Sequence, residues 1–408
     1  MHRQTIISIF AVAVTMMAGI EMMSAQIRHT LSKASPLYRK DTVTICVMGD
    51  MMMHTAQIEN AHRFGNWYDF SSYFSHIRDK IEGTDLAIAN MEFTLAGEPY
   101  SGYPSFSAPD CYAEYLADCG FDVFLAANNH IFDKGSEGAA RTLAVYKELG
   151  RKHGIRYCGL SATQNDYDHT YPLTINIKGI NIAIVNFTYG TNLGADKNWP
   201  KVNYMNDRNA LKTALDKASE ADFTLVIPHW GEEYQMLHSE KQKETAEWLV
   251  ANGADMIIGT HPHVVQDCGN IEGIQVAYSL GNAVSNMSAA NTQIGLMAEI
   301  KIVREYSGDI TILPLEFTWL WCSRPGGYSN SYTVLPVSRH LNMKKDWKGG
   351  WEHDKMTATY ERVRQITGIN TLYYICQKNQ SGLKPSTLLK STEQQTVTLR
   401  LYAAISLI

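Results

Sequence analysis

The chain has 408 residues, 45% of them hydrophobic and 19% charged, which is enough apolar material for a large buried core and excludes a disordered protein. Its formal net charge of -5 gives no general attraction for a phosphate backbone, so an electrostatic nucleic-acid binder is excluded and any anionic ligand must be met locally. Seven cysteines, with no Cys-x-x-Cys spacing, exclude a fully paired disulfide framework within one chain.

Residues 1–25 read as an export signal: His2 and Arg3 lead, an apolar run follows from Ile6 to Ile20, and Ser24 and Ala25 precede Gln26. Cleavage is expected after Ala25, giving a periplasmic or extracytoplasmic protein; left uncleaved, the segment would be a membrane anchor. From 43 to about 285, short β-branched runs alternate with amphipathic stretches, which predicts repeated βα units and a largely parallel buried sheet. Strands are predicted at Val43–Met48, Leu86–Ala89, Val123–Ala126, Ile182–Phe187, Phe223–Ile227, Met256–Ile258 and Val276–Ser279. A helix is predicted over Glu137–Leu149, closed by Gly150. Another is predicted over Glu240–Asn252, with Ser239 as N-cap, Gln242 in the capping box and Gly253 as the stop. Cys111 and Cys119, eight apart in a helical pattern, are expected to point away from each other.

Beyond residue 290 the alternation in Met297–Val303, Asp309–Leu313 and Phe317–Trp321 predicts antiparallel strands forming a second sheet packed on the first. A terminal helix is expected within 340–366. The stretch 377–396 is polar and rich in Ser, Thr and Gln, the composition of a loosely ordered tail. The implied division is a signal at 1–25, a main domain at 40–340, and a helical extension with a partly disordered tail at 341–408.

Polar residues able to bind metal follow five of the seven predicted strands: Gly49-Asp50; Asn90-Met91-Glu92; Asn128-Asn129-His130 with Asp133; His229-Trp230-Gly231-Glu232; and His261-Pro262-His263. Loops at the C-terminal ends of strands in open α/β sheets converge, so these groups are expected in one crevice. Singly, each has a plain structural reading. Gly-Asp is a common turn, Asn-Asn-His a loop bonded to its own backbone, His-Pro-His a surface turn, and His229 a core histidine. Together, imidazoles, carboxylates and an amide suit one or two divalent ions such as Mn, Zn or Fe, with Asp50 as a natural bridge.

The segments GDMMM (49–53), ANMEFTL (89–95), GFDVFLAANNHIFDKG (120–135), IPHWGEEY (227–234), GADMIIGTHPHVVQ (253–266) and YSLGN (278–282) resemble the bacterial capsule-synthesis CapA-type family. That family works in poly-γ-glutamate biosynthesis and is similar in architecture to calcineurin-like metallophosphatases. The resemblance implies a metallophosphatase-like α/β/β/α sandwich of mixed sheets with βαβ units and an antiparallel C-terminal portion. It implies metal positions at Asp50, Glu92, Asn129, His229, His261 and His263. His130 would be the general acid or transition-state stabiliser, oriented by Asp133, and Asn282 would touch the site. Asn128, Lys134 and Trp230, with Tyr234 beside it, are expected to line the substrate cleft, although Lys134 also fits a solvated loop and Trp230 a core position. The implied role is a metal-dependent hydrolase acting on an anionic envelope polymer or a small phosphoester, alongside other capsule-synthesis proteins. The alternative is a non-catalytic component that binds and exports the polymer. Two departures from the broader metallophosphatase pattern bear on whether both ion sites form. Asp50 is followed by Met51 and Met52 in place of Asp-x-His, leaving His54 out of register, and Glu92 stands where an aspartate is usual.

Overall fold

The structure, a computed structural model, describes residues 41–194 and 198–369. The export signal expected at 1–25, Cys376 and the tail expected beyond 377 lie outside the described residues. Among the described residues no helix is long and apolar enough to cross a membrane.

The principal strands are β1 (Asp41–Met51), β2 (Leu86–Met91), β3 (Val123–Leu125), β4 (Arg156–Cys158), β5 (Leu173–Ile177), β6 (Ile180–Thr188), β7 (Phe223–His229) and β8 (Met256–Ile258). They continue as β9 (Cys268–Ile271), β10 (Ile274–Ala277), β11 (Asn282–Val284), β12 (Ile294–Arg304), β13 (Ile310–Ile312), β14 (Glu316–Ser323) and β15 (Thr333–Pro336). The principal helices are α1 (Asp110–Asp118), α2 (Gly135–His153), α3 (Gln164–Thr170), α4 (Arg208–Ala218), α5 (Glu240–Ala251) and α6 (Gly350–Thr367).

Two sheets result, ordered β15-β14-β12-β1-β2-β3-β4 and β9-β10-β8-β7-β6-β5, with β11 alongside β1 and β13 alongside β12 in the first. β1 through β4 run parallel, as do β6, β7, β8 and β10. Strand alternation explains the layering. Val43, Ile45 and Val47 of β1 share one core with Ile182 and Ile184 of β6, whereas Cys46 and Met48 lie under Tyr112 and Leu116 of α1 and Leu143 and Tyr146 of α2. Leu211 and Leu215 of α4 and Ala246 and Leu249 of α5 belong to the β6 side of that core. The fold is therefore an α/β/β/α sandwich whose parallel strands are buried on both faces.

Three expectations need correction. The βα series does not form one sheet: β1 to β4 and β6 to β10 belong to different sheets, because the hairpin partner β5 and the core shared with β1 separate β6 from β4. The antiparallel strands after 290 do not build the second sheet. β12 pairs with β1 from Asp41↔Arg304 to Met48↔Met297 and so extends the first. Helix α2 runs past Gly150 to His153 and stops at Gly154, whose φ of 77° gives the left-handed cap. Gly150 lies inside the helix, at a position where a Cβ would meet the Ile155 carbonyl oxygen at 2.9 Å. Cys111 and Cys119 are free thiols, as their helical spacing implied. Met356, Tyr360 and Val363 of α6 pack into the inter-sheet core, so this helix is part of the sandwich.

Candidate metal centre

The site lies where the C-terminal ends of parallel strands from both sheets meet. β1 brings Asp50, β2 leads to Glu92, and the turn after β3 carries Asn128 to His130. From the second sheet, β7 ends in His229 and β8 leads to His261-Pro262-His263. Asp50, Glu92, Asn129, His130, Asp133, His229, His261 and His263 are all buried.

Asp50 is tied to both sheets: Asn90 Nδ2 donates to its Oδ1 at 2.8 Å, and its Oδ2 accepts from the His261 backbone N–H at 3.3 Å and lies 3.3 Å from His263 Nδ1. His263 Nδ1 is also 3.0 Å from Asn282 Oδ1, while its Nε2 is 3.6 Å from Glu92 Oε1. His229 Nε2 lies 2.8 Å from Asn129 Oδ1 and 3.7 Å from Glu92, and its Nδ1 lies 3.0 Å from Thr260 Oγ1. His261 and His263 hold φ of 99° and 59°, a left-handed conformation that costs non-glycine residues on the order of 1–3 kcal/mol each. The Tyr234 N–H, donating to the Pro262 carbonyl at 2.9 Å, helps to fix that turn.

The donor set fits a divalent ion. Both carboxylate oxygens of Glu92, and Nδ1 of His261, are buried without a hydrogen-bond partner. Buried polar groups are ordinarily paired or bound to metal. Glu92, His261 and His263 offer ligand atoms within 4.8 Å of one another, and so do Asp50, Glu92 and His229. The carboxylate common to both groups is Glu92, where the sequence reading gave the bridge to Asp50. Burial, then the charges of Asp50 and Glu233, push the Glu92 carboxyl well above its ordinary range. Burial, then neighbouring imidazoles, hold His229 and His261 well below theirs. Burial also pushes His263 down, but its hydrogen bond to Asp50 and the Asp50 charge outweigh that and leave it raised.

His130 stands beside this centre. Its Nδ1 is 2.7 Å from Asp133 Oδ2, which also accepts the Phe106 N–H at 2.8 Å. The Phe106 ring meets the imidazole edge-on at 4.6 Å between centroids.

The expected substrate residues are placed differently. Asn128 spends its amide on the Met91 carbonyl and its Oδ1 on the His130 N–H, as a turn residue does. Trp230 is fully buried and donates to the Tyr278 carbonyl, a core position that also borders a small cavity with Tyr189 and Glu232. Lys134 precedes α2 and lines a depression with Glu98 and Arg141 that holds none of the candidate ligands. Asn282 faces His263 and acts on the imidazole, its own amide being held by Thr292 and Ser285.

Four further residues join the site, of which the sequence named only Asn90, in the run that ends at Glu92. Asn90 bridges Asp50 and His229. Tyr189 places its ring 4.5 Å from His261. Asn192 donates its backbone N–H to the Asn129 carbonyl at 2.8 Å and its amide lies 3.3 Å from His130 Nδ1. Glu233 approaches His263 Nε2 at 4.0 Å. Asn90 and Glu233 were visible as neighbours of Glu92 and His229, whereas Tyr189 and Asn192 follow a strand with no ligand motif and carried no signal.

The family model for bacterial capsule synthesis protein PGA_cap matches residues 44–287. The chain belongs to that family. It is 28% identical over 318 residues to the capsule biosynthesis protein CapA of Bacillus anthracis, covering 75% of each chain. To the PGA biosynthesis protein CapA of Bacillus subtilis (strain 168) it is 24% identical over 290 residues, covering 68% of this chain and 73% of that protein. Among solved structures, it is similar to the NAD nucleotidase of Haemophilus influenzae (TM-score 0.43, 13% identity, 79% of this chain and 63% of that one). The 5′-nucleotidase of Candida albicans gives a TM-score of 0.41 at 12% identity, over 80% of this chain and 59% of that one. This chain thus spans less than two thirds of either solved chain.

Proposed function

We propose that this family member is an exported, metal-dependent hydrolase that cleaves a phosphoester or amide bond in an anionic envelope polymer, poly-γ-glutamate by analogy with the relatives' role in PGA biosynthesis. The observation that carries the reading is Glu92, sealed from water with neither oxygen hydrogen-bonded, among three imidazoles. Asp50, Glu92, His229, His261 and His263 would hold the ion, with the Asn129 amide oxygen beside His229. A divalent ion bound there supplies Lewis acidity and an acidified water, with a pKa lowered from 15.7 towards ~7.

The protein's own part is proton transfer and orientation. Asp133 accepts from His130 Nδ1 and supports the imidazolium form, whose Nε2–H would deliver a proton to the leaving atom and leave the neutral Nδ1–H imidazole behind. Asn192, against both Asn129 and His130, keeps that ring aligned with the ligand turn. A second reading, a non-catalytic polymer-binding and export component with a structural ion, draws on Met52. That residue is 2% exposed among apolar side chains and adds no ligand beside Asp50.

The two readings separate on purified protein given Mn or Zn and offered a chromogenic phosphodiester or a γ-glutamyl polymer. His130→Ala should lower turnover by at least ~100-fold with bound metal unchanged, and His261→Ala should strip the metal. Turnover that survives both substitutions refutes the site as drawn. An elemental analysis near two ions per chain together with turnover supports catalysis, and bound metal without turnover supports the binding role. Export is tested separately: the mature protein recovered outside the cytoplasm should begin at Gln26.

A further inference from the structure

A second, separate cavity of about 490 Å³ lies between α3, α4 and the two-residue ladder that pairs Lys201–Val202 with Leu160–Ser161. Its volume falls within the ~300–1,000 Å³ typical of small-molecule sites. None of the described residues lining it is a candidate metal ligand. Tyr167, Tyr171, Trp199 and Tyr204 supply aromatic surface, and Lys201, Asn203 and Asp207, with Gln164, supply polar groups.

We propose that this cavity is a carbohydrate site that takes one pyranose ring bearing a single carboxylate, a hexuronic acid unit of an envelope polysaccharide. The aromatic rings offer flat apolar faces to the C–H face of a sugar. Tyr167 and Tyr171 pack on each other, 5.3 Å between centroids and tilted by 40°, so they form one wall and leave no slot for a sandwiched nucleobase. The polar groups are positioned by the protein and keep free valences. Asn203 donates its amide to the Asn186 carbonyl at 3.1 Å, which leaves its Oδ1 as an acceptor. Asp207 commits Oδ1 to the Ala210 N–H at the start of α4, which leaves Oδ2 for a hydroxyl. An acceptor pair of this kind suits vicinal hydroxyls and repels a polyanion.

Lys201, whose ammonium sits 4.9 Å from the Trp199 ring centroid, is the one cation among the described residues of the lining, enough for one carboxylate and too little for a polyglutamate or a di- or triphosphate. The cavity also adjoins the His130 turn. The Tyr204 hydroxyl is 3.1 Å from Thr191 Oγ1, and the next residue, Asn192, contacts Asn129 and His130. The ligand class stands without the metal-site reading, because no residue of that centre enters the cavity.

The test is calorimetric titration of the full chain with glucuronate, glucose and a γ-glutamyl tripeptide, in the wild type and in Trp199→Ala, Lys201→Met and His261→Ala. Glucuronate should bind, at least ~10-fold more weakly to Trp199→Ala. Lys201→Met should erase the preference for glucuronate over glucose, and His261→Ala should bind as the wild type does. Absence of saccharide binding, a γ-glutamyl tripeptide that displaces glucuronate, or full affinity in both cavity variants would overturn the proposal. Loss of binding in His261→Ala alone would also overturn it, by placing the sugar at the metal centre.

Discussion

At the residue scale, Glu92 sets the balance between stability and chemistry. Burial and the neighbouring carboxylates raise the Glu92 carboxyl, which costs stability at neutral pH that a neutral amide escapes, so metal-free Glu92→Gln should be more stable than the wild type at neutral pH while its bound metal falls away. Denaturant midpoints with a chelator present, paired with elemental analysis, check both halves. The pH dependence has two arms. His229 and His261 stay neutral in the fold while the unfolded chain takes up protons below 6.5, so metal-free protein loses stability as pH falls through that value. Glu92 works in the other direction: the unfolded carboxyl ionises above 4.5 while the folded one stays protonated, so its contribution declines as pH rises. A pH series of thermal midpoints should show the rising-pH decline in the wild type and its removal in Glu92→Gln. The sequence displayed Glu92, His261 and His263 as metal-binding types at strand ends. It could not display that the Asn128 amide reaches the Met91 carbonyl while Glu92 is left without a hydrogen bond, because both outcomes depend on segments far along the chain.

At the scale of elements, local chemistry was legible wherever a motif closes on itself. The capping box of α5 forms as its sequence requires: Ser239 Oγ accepts the Gln242 N–H and Gln242 Oε1 accepts the Ser239 N–H. Gln242 also donates to Gln266, which in turn donates to the Gln235 carbonyl, so the cap is joined to the segment after His263. Ser239→Ala should cost about 1 kcal/mol. Gln242→Ala should cost more and weaken metal binding, because it strands buried Gln266; chemical denaturation and metal titration measure the two effects. Gly49, immediately before Asp50, allows β1 to meet the 280–281 segment: a Cβ there would fall 1.8 Å from the Gly281 carbonyl oxygen. Gly49→Ala is therefore expected to destabilise by ~3 kcal/mol and to displace Asp50, read as lower midpoint and lower metal content together. From the sequence, Gly49 was only a turn residue, since the approaching backbone lies more than two hundred residues downstream.

At the scale of the whole molecule, the part matched by the family model ends at 287, yet the first sheet needs the strands beyond that point. β12 covers β1 from Asp41 to Met48, and α6 buries Tyr360 against Trp319 at 5.4 Å between ring centroids. A chain ended at 287 should lack a cooperative unfolding transition, because β1 becomes an unpaired edge in the middle of the sandwich. Calorimetry of that truncation against the full chain decides it. Conversely, an ion that binds only the folded state at 100 times its Kd should raise stability by ~2.7 kcal/mol, and a chelator should reverse the shift.

The sequence by itself determined the seven strands named before residue 285, the N-cap of α5, the α/β class and the residue types at the strand ends. Period-two burial and cap hydrogen bonds act over a few residues, so they can be read from neighbours. Only the tertiary structure decided that two sheets share the site, that Glu92 belongs to both ligand groups, and that Tyr189 and Asn192 close over it. Which parallel strand pairs with which is set by burial of both faces against elements far along the chain, and that free energy exists only once the layers have packed.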